Sequence, residues 1–65
     1  MRKWYCVELG KKEWRILSIL AEKEGILAEP SSVGIFVNVE LYLNDAELDK
    51  MSKYIENLEK YSYLL

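Results

Sequence analysis

The stretch PSSVGIFVNVELYLND, residues 30–45, is the most apolar run of the chain, and its reading decides the fold. Two readings compete: a long strand, or the second helix of a helix-turn-helix. Ile35, Val37, Val39, Leu41 and Leu43 share one parity, while Phe36, Asn38, Glu40 and Tyr42 share the other. Side chains of a strand point alternately to its two faces, so this pattern gives one aliphatic face and one mixed face. On a helix the five aliphatics would scatter around the circumference, and the β-branched ones would lose side-chain freedom. The alternation predicts a strand over residues 35–43, with Ile35, Val37, Val39, Leu41 and Leu43 in the core.

Working outward, KWYCVEL (residues 3–9) is rich in aromatic and β-branched types and predicts a first strand, stopped by Gly10. From residue 11 to 24 the period changes. Trp14, Ile16, Leu17, Leu20 and Ala21 recur at three- and four-residue steps, which predicts an amphipathic helix with Trp14 in the core and Gly25 as its stop. ILAE (residues 26–29) predicts a short strand, PSS (residues 30–32) a turn, and Gly34 eases entry into the next strand. After that strand, Asn44 is placed to cap a second helix, with Glu47 three residues on and Asp45 favouring the positive helix start. Leu48, Met51, Ile55 and Leu58 form its apolar stripe to about Glu59. Asp49 with Lys53, and Glu56 with Lys60, are four-apart ion pairs on the other side. YSYLL (residues 61–65) predicts a last short strand. The order β-α-β-β-α-β is the α+β ferredoxin-like arrangement. It implies an antiparallel four-stranded sheet, two helices on one face, and the first and third strands at the centre.

Bulk properties limit the function. Residues 1–65 make one small domain, near the lower size at which a single core holds a chain folded. One cysteine allows no internal disulfide, and without histidine no zinc site is expected; no metal or cofactor is implied. The apolar fraction is 51%, with two Trp, five Tyr and one Phe, more than one small core usually hides. That surplus predicts a homodimer or higher homo-oligomer. The net charge of −2, with signs interspersed, weighs against nucleic acid as a partner. No apolar run approaches the roughly 18 residues of a membrane span. No signal-peptide pattern follows the basic start, so the free cysteine points to a reducing cytoplasm.

If the helices cover the aliphatic parity of the third strand, the other parity is left open. Placing Tyr5, Val7 and Leu9 under the helices leaves Trp4, Cys6 and Glu8 beside Phe36, Asn38, Glu40 and Tyr42. Trp4, Glu8, Phe36, Asn38, Glu40 and Tyr42 are therefore the candidate contact residues. Aromatics on an uncovered sheet are explained by sheet-to-sheet burial in a homodimer, or by a platform on which a base or flat ligand stacks. For an RNA platform only Tyr5, Leu9, Phe36 and Val37 fall where the ribonucleoprotein pattern wants them, and Glu8 and Glu40 would repel phosphate. Glu8 and Glu40 as cross-strand neighbours could hold a cation or do acid–base work; solvated carboxylates are the commoner case. Cys6 has no histidine to activate it, and no nucleophile, base and orienting group can be assembled, so no enzyme is expected.

ILSILAEKEGIL (residues 16–27) resembles the first helix and following strand of ACT-type regulatory domains and of the ligand-sensing domains of feast/famine regulators. VNVELYLNDAELDKMSKYIENL (residues 37–58) is similar to their third strand and second helix. The resemblance implies a dimer or larger assembly that takes a small molecule, commonly an amino acid, between subunits. Where that family has an Asp-x-Pro-Gly-like loop after the first strand, this chain has LGKKEW (residues 9–14), keeping a glycine one step early. A second resemblance competes: VELGKKEWRILSIL (residues 7–20) is similar to the entry of a winged-helix DNA-binding domain, and YIENLEKYSYLL (residues 54–65) to the end of its recognition helix. It implies a helix where the alternation predicts a strand, and a recognition helix opening on NDAELD, poor for meeting phosphate. The expectation is a non-enzymatic regulatory or interaction domain, self-associating through its open sheet face and able to sense a small metabolite; the alternative is a DNA-binding regulator.

Overall fold

Strict alternation in the quoted stretch does produce a strand, and the rest of the chain is arranged around it. The computed structural model describes residues 2–65, residues 32 and 33 by their backbone. The elements run β1 (Lys3–Gly10), α1 (Lys11–Glu24), β2 (Leu27–Val33), β3 (Phe36–Leu43), α2 (Asp45–Glu56), and a closing 3₁₀ helix, Leu58–Leu64. The sheet order is β1-β3-β2, with β3 antiparallel to both neighbours. β1 and β2 are therefore parallel to each other, joined through α1 with β3 lying between them.

Among the described residues three strands form, where the sequence predicts four. The fourth, expected at residues 61–65, is replaced by the 3₁₀ helix. The spacing explains this: Leu58, Tyr61 and Leu64 are three apart, and a 3₁₀ helix of three residues per turn lines them up on one side. Leu58 is buried, and Tyr61 and Leu64 pack against the core. As a strand the segment would have put Tyr61, Tyr63 and Leu65 on one face; instead Tyr63 and Leu65 are exposed. With no fourth strand, β1 lies at an edge of the sheet rather than at its centre.

Two further differences centre on the hairpin. PSS is not a turn: Pro30 sits within β2, opposite Val39. β2 is an edge strand, where a proline can stand without removing a ladder hydrogen bond. The turn falls later, at Gly34 and Ile35, with Val33 paired to Phe36 across it. Gly34 has φ 63°, and Ile35 has not, the φ signs of a type II′ hairpin turn with glycine in its first central position. Ile35 is consequently 73% exposed and outside the core, although it shares the parity of Val37, Val39, Leu41 and Leu43, which are all buried.

α1 ends and α2 begins where their sequence signals stand. Gly25, at φ 69°, ends α1. Its N–H donates to the Glu22 carbonyl at 3.2 Å and that of Ile26 to Ala21 at 2.8 Å, the paired bonds of a Schellman cap. At the start of α2, Glu47 N–H donates to Asn44 Oδ1 at 2.9 Å and Asn44 N–H to Glu47 Oε1 at 3.2 Å, a reciprocal capping box. α2 stops at Glu56, three residues before the expected Glu59, so Glu56 and Lys60 straddle its end. They form no ion pair among the described residues, whereas Lys53 and Asp49 meet at 3.4 Å.

Ile16, Leu17, Leu20 and Ala21 of α1 pack with Val37, Val39, Leu41 and Leu43, closed by Leu9, Ile26, Met51 and Leu58. Each such side chain contributes about 1.5–3 kcal/mol when fully buried. No polar side chain among the described residues is buried. Trp14, expected in the core, is partly buried against it. Among the described residues no helix is long and apolar enough to cross a membrane. The stretch that a winged-helix arrangement needs as its middle helix is β3.

Candidate functional site

Both helices lie on the side of Val37, Val39, Leu41 and Leu43, and the opposite parity forms an open face that the register maps row by row. The first row is Trp4–Tyr42–Leu27, across β1, β3 and β2. The second is Cys6–Glu40–Glu29, the third Glu8–Asn38–Ser31, and the fourth Gly10–Phe36 with position 33. Trp4, Glu8, Phe36, Asn38, Glu40 and Tyr42 thus share one surface, but they do not form one cluster. Phe36 lies six residues along β3 from Tyr42, about 20 Å at the usual strand rise.

The first row is the ordered one. The Trp4 and Tyr42 rings stack with centroids 5.0 Å apart and planes 28° from parallel. The Arg2 guanidinium sits 5.8 Å from the Tyr42 centroid and holds Glu47 Oε1 at 2.9 Å, the same oxygen that closes the α2 capping box. The N-terminal segment, the aromatic pair and the start of α2 are therefore tied at one corner. Trp4 remains 53% exposed and Leu27 46%, so this row presents ordered apolar surface to solvent.

The middle of the face is acidic. Glu8 and Glu40 are diagonal neighbours, not opposite one another; Glu40 stands between Cys6 and Glu29. Like charges directly across a ladder destabilise it. Among the described residues no group of three or more His, Cys, Asp or Glu is placed to hold a metal ion. Leu27 and Glu29 belong to this surface, and a strand ending at residue 29 with a turn at 30–32 does not bring them onto it. With β2 continued through Pro30, the two-residue step Leu27, Glu29, Ser31 gives them directly.

A second feature lies beside the end of β1. A cleft of ≈ 480 Å³ opens between Glu8, Leu9 and Gly10 and the end of α2 with the start of the 3₁₀ helix, Ile55 to Lys60. Glu8, Glu13, Glu56 and Glu59 line it, against a single cation, Lys60. A smaller one of ≈ 230 Å³ adjoins it around Lys12, Ile16 and Ser62. Elsewhere, Glu24 accepts from Lys50 Nζ at 3.1 Å and from the Tyr54 hydroxyl at 3.0 Å. The Lys50 hydrogen bond foremost, then that of Tyr54, holds the Glu24 carboxyl below its ordinary range; the bond to Glu24 pushes the Tyr54 hydroxyl up.

These features define a small α+β domain with a three-stranded antiparallel sheet, helices on one face and an aromatic row on the other. No protein family, curated protein or solved structure matches the chain.

Proposed function

We propose that this chain is a non-enzymatic interaction domain that self-associates through the open face of its sheet, on three of the four strands of ferredoxin-like order. The observation that carries this reading is the Trp4–Tyr42–Leu27 row, stacked and ordered yet exposed. Covering it removes apolar area from water at about 25 cal/mol per Å². The acidic middle fixes how two copies meet. A two-fold axis through Glu40 would bring Glu8, Glu29 and Glu40 of both copies together, so the axis belongs at the aromatic row, leaving the carboxylates at opposite ends. A small metabolite of the kind the ACT-like resemblance implies would stack on this same row, between copies. The exposed thiol of Cys6 fits a reducing cytoplasm.

Mass measured by sedimentation across a dilution series tests the reading. The expected result is an association that weakens on dilution, with Tyr42→Ser and Leu27→Ser together lowering the mean mass at a given concentration. A wild-type monomer at roughly millimolar concentration would sink it. Thermal stabilisation by one of a panel of amino acids would assign the sensing role, and a salt-dependent shift of a DNA duplex would favour the DNA-binding alternative instead.

A further inference from the structure

The absent fourth strand leaves β1 with one unpaired side. β1 pairs with β3 through eight consecutive residues, Lys3 opposite Leu43 to Gly10 opposite Phe36, and no described strand pairs with its other side. The two edges of this sheet are unlike. β2 carries Pro30, a residue that blunts an edge against further pairing. β1 has no proline, and its unbroken register has no bulge. Along its eight residues, alternate ones turn a backbone N–H and C=O outward, the template that strand addition uses.

Charge identifies the occupant. Arg2 and Lys3 lead into β1, and the strand ends at the cleft of Glu8, Glu13, Glu56 and Glu59, four carboxylates against Lys60. Two copies of β1 laid antiparallel place the basic start of each against the acidic end of the other. A two-fold axis perpendicular to the sheet keeps equal faces together, so partners must share parity. Two such registers overlap seven residues of the strand each, one about Cys6 and one about Val7. The second sets Lys3 opposite Lys11, like against like, so charge selects the first, with Cys6 opposite Cys6 of the second copy, Tyr5 opposite Val7, Trp4 opposite Glu8 and Lys3 opposite Leu9. Lys3 then stands at the mouth of the cleft, while Arg2, opposite Gly10, keeps its bond to Glu47. Tyr5 and Val7, only half-buried under the helices, gain cover.

We infer that the free edge of β1 is a homodimer seam, pairing with β1 of a second copy about Cys6 to give a six-stranded sheet, with Lys3 of each chain set against the acidic cleft of the other. The seam leaves the open face free and does not depend on the reading proposed for that face.

Disulfide trapping of the full chain separates the two. In the seam the Cys6 Cα atoms are about 4.5–5.5 Å apart, within bridging range. In the face-to-face stack they are separated by the roughly 10 Å between sheets and by their offset from the aromatic row besides, outside it. Diamide treatment should give a covalent dimer of the wild type. Lys3→Glu should lower the yield about tenfold, and so should Glu56→Lys with Glu59→Lys. Mixing these two variants should restore it, because in the mixed dimer both seam contacts are again of opposite sign. Tyr42→Ser with Leu27→Ser should leave trapping intact even where it abolishes stacking. Lys3 is exposed, and circular dichroism checks that its variant folds. Trapping that Lys3→Glu leaves unchanged, or mixing that restores nothing, would overturn the seam.

Discussion

Glu24, at the end of α1, is held by two groups four residues apart on α2, Lys50 and Tyr54. Its carboxyl is held below the ordinary value of 4.5, first by the Lys50 hydrogen bond and then by that of Tyr54. A group with a depressed folded pKa stabilises the fold above its unfolded pKa, and that contribution is lost as pH falls through the folded value. Tyr54, raised above 10.0 by its bond to Glu24, contributes below that value and loses the contribution as pH rises through its folded pKa. The tie between the helices is therefore whole between these limits. Carbon-detected titration should place Glu24 below 4.5, move it up in Lys50→Met, and move it further with Tyr54→Phe added. An ordinary midpoint in the wild type would mean the tie does not persist in solution. On the open face the balance is opposite: Glu29 and Glu40 are cross-strand partners, and neither forms an ion pair among the described residues. Glu29→Lys should raise stability by about 0.2–1 kcal/mol in urea unfolding, and a loss would show the register to be wrong there.

At the scale of elements, the closing 3₁₀ helix is the most informative case. Leu64 packs against the core, while Tyr63 one residue before is exposed. Leu64→Ala should therefore cost about 1–2 kcal/mol in unfolding and Tyr63→Ala close to nothing. A fourth strand would reverse the order, since Tyr63 and Leu65 would then share the parity of Tyr61. The same contrast explains how much of the fold was legible. α1, the start of α2 and the core face of β3 each rest on many residues repeating one period, reinforced by Gly25 or Asn44 at the end. Residues 61–65 offer five positions, too few to separate a three-residue period from alternation, and the deciding member, Leu58, lies outside that window. Pro30 misled for a different reason. Its meaning depends on whether its strand is at an edge, and edge position is a property of the assembled sheet. The open face shows both effects: strand parity puts Trp4 and Tyr42 on one side of the sheet without fixing their register, while a turn placed at residues 30–32 keeps Leu27 and Glu29 off it.

At the scale of the molecule, 65 residues bury one modest core, with an aromatic row exposed on the sheet face and an unpaired strand on its edge. A domain near the lower size limit has little stability to spare, so any association of the folded form should be felt in its melting. For a chain that melts from dimer to unfolded monomers, tenfold dilution removes about 0.7 kcal/mol per chain, half of RT ln 10. In a domain of this size that lowers the thermal midpoint by about 3–5 °C. The wild type should show such a dependence. Tyr42→Ser with Leu27→Ser removes the face contact and Lys3→Glu weakens the seam, and because neither set substitutes a residue the other contact needs, each should flatten the dependence only in part. All three substitutions together should give a midpoint independent of concentration. If the face set alone abolishes the dependence, the seam does not form; if Lys3→Glu alone abolishes it, the aromatic row is not the surface on which copies meet.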